Sequence, residues 1–378
     1  MKTDSLYIHI PFCIKKCLYC DFFSVPYNEQ SATEYIDAVC RELSLKKDSA
    51  APLKTIYIGG GTPSLLPTGS FEKLFKHLHD SFTLSPSAEI TVEANPQTIN
   101  DFKINALRSL GVNRLSVGIQ SFNNAELRTL GRIHTSDDAL RTIEGIRQAG
   151  FNNYSIDLIY GIPGQTIDSW KASLSQAVSL SPTHISSYEL TPEKNTPLYR
   201  LIQSNKIKMP GENLVIDMYN HLIDFLSSQG YEHYEISNFA LPGYKCIHNL
   251  NYWEQGNFIG AGAGASSFIN VMRLKNTEDI ARYKENLLAG ILPDRESTVI
   301  GPRESLEEFI FLGLRKTEGI PIATAENLGL PLIDICKDLV DEGHLEIKGG
   351  YLRLSRTGIV LSNTIIVKLF DRLRFDRS

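Results

Sequence analysis

Three cysteines near the amino terminus offer the clearest chemistry in this chain. Cys13, Cys17 and Cys20 follow the pattern Cys-x3-Cys-x2-Cys on one short loop, directly after a predicted strand. Thiolates are the usual protein ligands of iron–sulfur clusters, and three of them leave one iron of a [4Fe-4S] cluster without a protein ligand. The spacing therefore predicts a [4Fe-4S] cluster with one open iron.

A structural zinc site and a set of free thiols both explain the three cysteines less well than a [4Fe-4S] cluster does. A structural zinc site needs four ligands, and His9 and Asp21 are the only local candidates for the fourth. Three unrelated thiols give no reason for this spacing. The remaining cysteines, Cys40, Cys246 and Cys336, are scattered, which is unlike the framework of a small disulfide-rich secreted domain. We therefore expect a metal site in a reducing compartment, with Cys246 as a buried thiol.

Composition and charge narrow the class of protein. The chain has 378 residues, of which 42% are hydrophobic and 21% charged, as in soluble globular proteins. Its net charge of −5 supplies no positive field that would recruit nucleic acid. The sequence has neither a basic leader nor a run of about 18 apolar residues that could span a membrane. We expect a cytoplasmic protein that does not bind nucleic acid.

The first half of the sequence alternates β-rich runs with helical patterns, which is typical of βα units around a parallel sheet. Six strands are predicted: Leu6–Ile10, Thr55–Ile58, Glu89–Glu93, Arg114–Gly118, Tyr154–Leu158 and His184–Tyr188. The helical patterns between them are Ala32–Leu45, Ser70–Ser81, Asp101–Ser109, Asp137–Ala149 and Asp168–Ser179. This order predicts an α/β fold, a partial (β/α)6 TIM-like barrel, over residues 1–240.

The chemically useful residues follow the predicted strands. The cysteine loop follows the first strand, and a glycine run, Gly59–Thr62, follows the second. Glu93 ends the third strand, Gln120 follows the fourth, and Asp157 lies near the end of the fifth. Because the loops after barrel strands share one face, we expect these residues on one rim. Glycines there would let a ligand approach the backbone closely.

Two further segments follow the predicted barrel. Residues 241–300 form a connecting region, and residues 301–378 form a smaller C-terminal domain. In the latter, three predicted helices precede a hairpin of Leu345–Ile347 and Tyr351–Leu354, and a final helix ends the chain. This order predicts a winged-helix-like module. Its basic residues are interspersed with acidic ones, so we do not expect it to bind nucleic acid.

The cysteine loop, with Tyr19 before its last cysteine, resembles that of the radical S-adenosylmethionine (SAM) superfamily, and the resemblance covers residues 4 to about 240. In that family the open iron chelates the methionine group of SAM, and an electron from the cluster cleaves the sulfonium to a 5′-deoxyadenosyl radical. The chemistry belongs to the cofactor, and the protein positions it. The resemblance implies these SAM contacts: Tyr7, Tyr19, Gly60, Gly61, Thr62, Glu93, Gln120, Arg132 and Asp157.

Four further strings resemble one branch of the superfamily, the oxygen-independent coproporphyrinogen oxidase-like group. They are Tyr7–Cys13, Gly118–Phe122, Leu130–His134 and Asp157–Pro163. True oxidases of this group have an additional cysteine two residues after the last cluster ligand, where this chain has Phe22. The departure argues against the decarboxylation of propionate side chains that defines the oxidase.

A fifth string is similar to the mark of the HemW heme chaperones, His-Asn-x-x-Tyr-Trp, which here comprises His248, Asn249, Tyr252 and Trp253. An imidazole is a good axial ligand for heme iron, and the two aromatic rings can pack on a porphyrin. The resemblance implies a protein that binds heme and transfers it to apo-hemoproteins such as respiratory enzymes or cytochromes. Any membrane contact would be peripheral, and the family suggests a homodimer in some states.

Two enzymatic alternatives stay open. A radical SAM coproporphyrinogen oxidase that works without the additional cysteine would form a divinyl product from coproporphyrinogen III. A radical SAM methyltransferase would transfer a methyl group from SAM to its substrate, and it has no evident need of the string at His248. The sequence alone therefore leaves open whether the protein is an enzyme.

Overall fold

A computed structural model describes residues 2–293 and 295–375 of the chain, which form two compact units. One unit comprises the chain up to residue 222 together with residues 257–298, and the other comprises residues 223–256 together with the chain from residue 299. Packing groups residues 257–298 of the predicted connecting region with the amino-terminal part. The domain divisions at residues 240 and 300 stay predictions. No helix among the described residues is long and apolar enough to cross a membrane.

The first unit is built on six parallel strands in sequence order. They are β1 (Thr3–Ile10), β2 (Ala50–Gly60), β3 (Leu84–Ala94), β4 (Arg114–Gln120), β5 (Tyr154–Tyr160) and β6 (His184–Glu189). Each strand pairs in parallel with the next one. The predicted α/β order of six βα strands is confirmed.

Helices follow each of these strands, and those between consecutive strands form the crossovers that parallel pairing requires. They are α1 (Glu29–Lys46), α2 (Thr68–Ser81), α3 (Asp101–Ser109), α4 (Asn124–Leu130), α5 (Ser136–Gln148), α6 (Ile167–Ser179), α7 (Pro197–Gln203) and α8 (Glu212–Ser228). Helix α1 begins three residues before its predicted start because Asn28 accepts a hydrogen bond from the Ser31 amide and caps it. The short helices α4 and α7 were not predicted, since seven residues carry little periodicity.

Alternation along the strands separates apolar from polar side chains. In β1, Leu6, Ile8 and Ile10 are fully buried in the apolar core, whereas Tyr7 and His9 belong to the opposite face. Hydrogen bonds between neighbouring strands join the polar positions of that inner face: Tyr57 with Glu93, Ser116 with Asp157, and Ser155 with His184. Barrels of this kind are usually filled by bulky branched side chains. The polar interior is therefore suited to a polar ligand.

Residues 257–298 return to the sheet of the first unit. Their strand Ile259–Ala261 pairs in parallel with β1. The buried carboxylate of Glu42 in α1 pairs with Lys46 of the same helix and holds this segment through three donors: Gly262, Asn276 and Tyr283. The remaining elements are the strands Ser266–Ile269, Met272–Asn276 and Arg295–Val299 and the helix Ile280–Leu288. The edge strand was not predicted, because three residues of a Gly/Ala-rich run carry no strand pattern.

The second unit contains the predicted C-terminal module. Its hairpin pairs Leu345–Lys348 with Tyr351–Leu354, and Ile320–Pro321 adds a third short strand. The helices are Ile247–Trp253, Pro302–Gly313, Ile322–Asn327, Leu332–Asp341, Arg356–Val360 and Ser362–Phe375, and an antiparallel pair joins Glu232–Glu235 and Asn238–Ala240. Apolar side chains of the helices and hairpin share one core. The predicted order of helices and hairpin is confirmed, with the final helix in two pieces.

Candidate cluster and cofactor site

The cysteine loop follows β1 and is held by backbone hydrogen bonds. Phe12–Cys13 pairs in parallel with Val25–Pro26, and the Tyr27 amide donates to the Cys13 carbonyl oxygen at 2.9 Å. In the middle of the loop, the Leu18 amide donates to the Leu130 carbonyl oxygen at 3.0 Å. All three cysteine side chains are half-buried. The backbone is therefore fixed by its own contacts, and the thiols are left to bind a metal group.

A relay of side-chain contacts joins two of the cysteines. Thr62 Oγ1 lies 3.7 Å from Cys13 Sγ and accepts a hydrogen bond from Asn95 Nδ2 at 3.0 Å. Because the hydroxyl accepts from Asn95, its own hydrogen can be donated to the sulfur. Asn95 Oδ1 accepts from Arg132 Nη2, and Arg132 Nη1 lies 3.5 Å from Cys17 Sγ. Each of these two sulfurs therefore faces a donor that this relay holds in place.

Helix α4 delivers Arg132 to the cysteine loop. The helix ends at Leu130 and is capped by Gly131, which has a φ of 75° in the left-handed region. A Cβ at this position would lie 2.8 Å from the side chain of Leu18. Both the turn and the close contact with the loop therefore require glycine. Arg132 also donates to the Gly118 carbonyl oxygen, which fixes its guanidinium group.

The glycine run after β2 packs on the cysteine loop. Gly60 has a φ of 118°, and a Cβ there would lie 2.6 Å from the ring of His9. A Cβ at Gly61 would lie 2.7 Å from the carbonyl oxygen of Phe12. The sequence suggested that these glycines make room for a ligand. In the structure, a side chain at Gly60 or Gly61 would clash with His9 of β1 or with Phe12 of the cysteine loop. The glycines therefore allow the glycine run to pack closely on this loop.

Glu93 connects the end of β3 to the glycine run. Its carboxylate accepts hydrogen bonds from Tyr57 Oη at 2.8 Å and from the Gly60 amide at 3.0 Å. Burial raises the pKa of Glu93 to about 7, although both hydrogen bonds act in the opposite direction. At neutral pH the ionised form of the carboxyl group can accept a hydrogen bond from an amine or a hydroxyl, and the protonated form can donate one.

Tyr7 and His9 support the loop from the inner face of β1. His9 Nε2 lies 3.1 Å from the carbonyl oxygen of Phe23, and Nδ1 lies 2.9 Å from Tyr7 Oη. Since a carbonyl only accepts, Nε2 carries the hydrogen and Nδ1 accepts from Tyr7. Burial lowers the pKa of His9, which favours this neutral form. Both ring nitrogens are engaged, so His9 does not supply a fourth ligand to the cysteines.

Three other predicted cofactor contacts lie around the same face. Gln120 ends β4 with a φ of 69°, at a shift in register with β5 that redirects its side chain. Asp157 accepts from Ser116 and Ser155, each at 2.9 Å, and burial raises its pKa. Burial also raises the pKa of Tyr19, which lies beside Arg132 and two of the cysteines. The structure thus groups these residues around the cysteine loop and the inner face.

The electrostatics of the thiols fit a cluster of iron ions. Burial raises the pKa of Cys13, and it raises the pKa of Cys20 to about 11; the neighbouring Cys17 adds to both shifts. The thiolates therefore need a positive partner at neutral pH, and each cluster iron supplies one. Within residues 2–293 and 295–375, no three His, Cys, Asp or Glu side chains are grouped to hold a single metal ion.

The string predicted to bind heme lies in the second unit, on the helix Ile247–Trp253. His248 is only 1% exposed, and its Nε2 lies 2.8 Å from the hydroxyl of Tyr252. Their rings meet edge to face, with centroids 4.9 Å apart. Asn249 and Trp253 are half-buried. The four predicted residues share one short helix, and the imidazole is enclosed.

Two protein families match this chain. The radical SAM superfamily matches residues 7–177, and the HemN C-terminal domain matches residues 300–361. A "Heme chaperone HemW" of Bacillus subtilis is 36% identical over 371 residues, which covers 96% of this chain and 97% of the relative. This chain belongs to the HemW family. The superfamily to which HemW proteins belong implies a [4Fe-4S] cluster and SAM.

Other relatives agree with this assignment, and one solved structure shares the fold. Proteins named "Heme chaperone HemW" from Lactococcus lactis and Escherichia coli are 38% and 33% identical, over 86% and 96% of this chain and 85% and 97% of their own lengths. The structure of coproporphyrinogen III oxidase (HemN) from Escherichia coli matches with a TM-score of 0.83, at 23% identity, over 97% of this chain and 90% of that one. The latter likeness shows a shared radical SAM fold.

Sequence reasoning missed Asn95 and the roles of His9 and Gly131. Asn95 lies two residues beyond Glu93, so alternation along β3 places it on the same face. That signal was present in the string Glu-Ala-Asn-Pro, but a single Asn before Pro is usually a turn residue. The contact between Gly131 and the cysteine loop joins residues more than a hundred positions apart, and only the fold reveals it.

Proposed function

We propose that this protein is a heme chaperone, which binds heme at the string from His248 to Trp253 and transfers it to apo-hemoproteins such as respiratory enzymes or cytochromes. The name of the relatives that align over nearly the whole chain supports this proposal. The grouping of one imidazole with two aromatic rings on one helix also supports it. Imidazole is an established axial ligand of heme iron.

Binding of iron by His248 requires a local change. Its Nε2 now shares a hydrogen bond with Tyr252, and the imidazole is almost fully buried. Coordination through Nε2 would break this hydrogen bond and expose the ring. The helix that carries the string is only seven residues long, so its opening costs few backbone hydrogen bonds. Heme binding and local opening of this helix are therefore coupled in the proposal.

In the barrel, Cys13, Cys17 and Cys20 would hold a [4Fe-4S] cluster whose open iron binds SAM. The observation that carries this part is the relay in which Thr62 faces one sulfur and Arg132 another. When bound, such a cluster supplies an electron to the sulfonium group of SAM. The protein residues hold the sulfurs in position and provide hydrogen-bond donors that stabilise their negative charge.

The polar residues of the inner face would bind SAM. Glu93 is suited to its amino group or ribose hydroxyls, and Asp157 and Gln120 to the other hydroxyls, because each carries acceptor oxygens near the cysteine loop or on the inner face. The remaining contacts in this proposal are Tyr7, Tyr19, Gly60, Gly61, Thr62 and Arg132. Whether SAM is cleaved or only bound decides whether the protein is also an enzyme.

The proposal also includes a cellular setting. Heme transfer takes place in the cytoplasm, with peripheral membrane contact where the acceptor is a membrane enzyme, and homodimers form in some states. Flotation with liposomes measures membrane contact, and light scattering on protein eluting from a size-exclusion column measures dimer formation. Each is done with and without hemin.

One experiment tests both sites of the full-length protein. We expect anaerobically reconstituted protein to contain iron and sulfide, to change its electron paramagnetic resonance (EPR) spectrum with SAM, and to change the Soret band of added hemin. His248→Ala should abolish the Soret change, whereas His79→Ala, at an exposed histidine of α2, should keep it. The chaperone proposal would be overturned if the wild-type protein gave no Soret change, or if the His248→Ala variant gave the same Soret change as the wild type. Conversion of coproporphyrinogen III to the divinyl product would favour the oxidase instead.

A further inference from the structure

Three neighbouring residues of the second unit each carry a buried polar atom that has no hydrogen-bond partner among the described residues. The atoms are Trp253 Nε1, Arg315 Nε and Glu235 Oε2. The guanidinium carbon of Arg315 lies 4.6 Å from the centroid of the Trp253 ring, and Arg315 Nη2 lies 3.9 Å from Glu235 Oε2. The large majority of buried side-chain polar atoms in folded proteins are hydrogen-bonded. Three exceptions at one contact therefore require a specific cause.

Backbone hydrogen bonds fix the segment that carries Arg315. The Ile236 amide donates to the Arg315 carbonyl oxygen at 3.0 Å, and the Thr317 amide donates to the Tyr234 carbonyl oxygen at 3.2 Å. These bonds align the segment after the helix Pro302–Gly313 with the strand Glu232–Glu235. The Arg315 side chain is 22% exposed although its Nε is buried, so a bound group can reach the outer part of the guanidinium. The cation therefore lies at a fixed point of the backbone and is accessible in part.

Glu235 orients Arg315 without using its donors. The carboxyl group is fully buried, and Asn238 donates to its Oε1. Its Oε2 lies 3.9 Å from the guanidinium, which is longer than a hydrogen bond. Burial raises the pKa of Glu235, which favours the neutral form and reduces the repulsion of a second carboxylate. The 3.9 Å separation thus leaves N–H groups of Arg315 for another acceptor.

We propose that Arg315 and Trp253 form a subsite that binds a carboxylate, namely a propionate group of heme. This inference rests on the proposed function. The two unpaired nitrogens are both donors, whereas a carboxylate only accepts, and a guanidinium binds carboxylates through two parallel hydrogen bonds. Lys316 follows directly and pairs with the exposed Glu254 at 3.6 Å, so the local charge includes a second cation.

The shape of the subsite also matches heme. A porphyrin is a flat apolar ring with two carboxylates on one edge, and Trp253 offers an apolar face next to a cation. Trp253 belongs to the same helix as His248, five residues further on. With the iron ligand and one of the two propionate donors on one helix, the orientation of the bound ring would be defined. Neither Arg315 nor Glu235 belongs to the string that the sequence singles out.

Titration of the full-length protein with hemin and with hemin dimethyl ester, which lacks the negative charges, tests this subsite. We expect Arg315→Gln to weaken hemin binding roughly tenfold to a hundredfold, as for the loss of a charged hydrogen bond. The affinity for the dimethyl ester should not change. Arg356→Gln serves as the matched control, since Arg356 pairs with Asp224 in the same unit at 3.0 Å. It should leave both affinities unchanged.

A second pair of variants separates binding from folding. Arg315→Lys retains the charge but not the planar fork, and Trp253→Phe retains an aromatic ring but not the N–H; each should weaken binding of hemin more than binding of its ester. Equal losses for hemin and its ester in these variants would assign Arg315 a structural role and overturn the inference. Hemin binding by Arg315→Gln at the wild-type affinity would also overturn it and would leave the proposed function intact. A wild-type protein that binds no hemin would remove both.

Discussion

Arg132 Nη1 lies 3.5 Å from the sulfur of Cys17, although the two residues are 115 positions apart in the chain. The same guanidinium group donates to Asn95, which donates to Thr62 beside Cys13. A cation and a hydroxyl are thus coupled through one amide, and each faces a different sulfur. Hydrogen bonds to the sulfurs and nearby charges tune the reduction potential of an iron–sulfur cluster. The relay is therefore expected to affect electron transfer as well as structure.

Replacement of Arg132 by Gln should lower the reduction potential of the reconstituted cluster. A nearby positive charge favours the more negative, reduced cluster, and the variant removes it. A redox titration followed by EPR measures the shift. Arg141→Gln removes an exposed arginine that pairs with Asp138 and should leave the potential unchanged. An identical potential in the wild type and the Arg132→Gln variant would contradict the assigned role.

Replacement of Thr62 by Val should also lower the potential, but to a smaller extent. Valine has the same shape as threonine and cannot donate to Cys13, so the change removes one hydrogen bond to sulfur. Thr62→Ser keeps the hydroxyl and is the matched control. Iron content and the EPR-monitored potential are the measurements. If the valine and serine variants behave alike, the contact at 3.7 Å has no electrostatic effect.

Replacement of Gly60 by Ala should destabilise the glycine run. The left-handed backbone and the contact with His9 both oppose a side chain, and we expect a loss of about 1–3 kcal/mol in the free energy of unfolding. Gly69 has no atom within 4 Å of a built Cβ, and Gly69→Ala should not destabilise the protein. Urea unfolding compares the two variants. Equal stability of both would show that the loop adapts.

His134 should make the protein less stable in acid. Burial, with Arg132 contributing, lowers the pKa of this histidine to about 4, from the 6.5 of an exposed imidazole. Between these values the unfolded chain binds a proton that the folded chain does not, so stability falls as the pH decreases from 6.5 to 4, by on the order of 3 kcal/mol. Thermal unfolding from pH 7.5 to 4.5 measures this effect.

His134→Gln provides the comparison for that titration. Glutamine can still donate to the carbonyl oxygen of Ile119, which His134 Nε2 contacts at 3.1 Å, but it does not titrate. The variant should therefore lose part of its stability at every pH and show a flatter pH dependence than the wild type. Parallel pH profiles of the two proteins would mean that other groups cause the acid sensitivity.

Tyr252→Phe should strengthen hemin binding by His248. The variant removes the hydroxyl that engages His248 Nε2 at 2.8 Å and keeps the aromatic ring, so less energy is needed to expose the imidazole. A net hydrogen bond of about 1 kcal/mol corresponds to a roughly fivefold gain in affinity. The Soret titration measures it. A weaker affinity would mean that the hydroxyl contacts the bound heme directly.

The sequence alone predicted the elements that depend on local pattern. The six strands, the five principal helices and the C-terminal hairpin follow from periodicity and capping residues, which act between near neighbours. The spacing of Cys13, Cys17 and Cys20 predicted a cluster loop because the three cysteines lie close together in the sequence. The string from His248 to Trp253 was recognisable for the same reason.

Only the tertiary structure decided which distant residues support these local motifs. The use of Asn95 to couple Thr62 with Arg132, and the stacking of Arg315 on Trp253, each join segments that lie far apart in the chain. No periodicity encodes such contacts, since they arise when strand ends converge or when helices pack. The enclosure of His248 was equally hidden, because burial depends on what surrounds a residue and not on its own string.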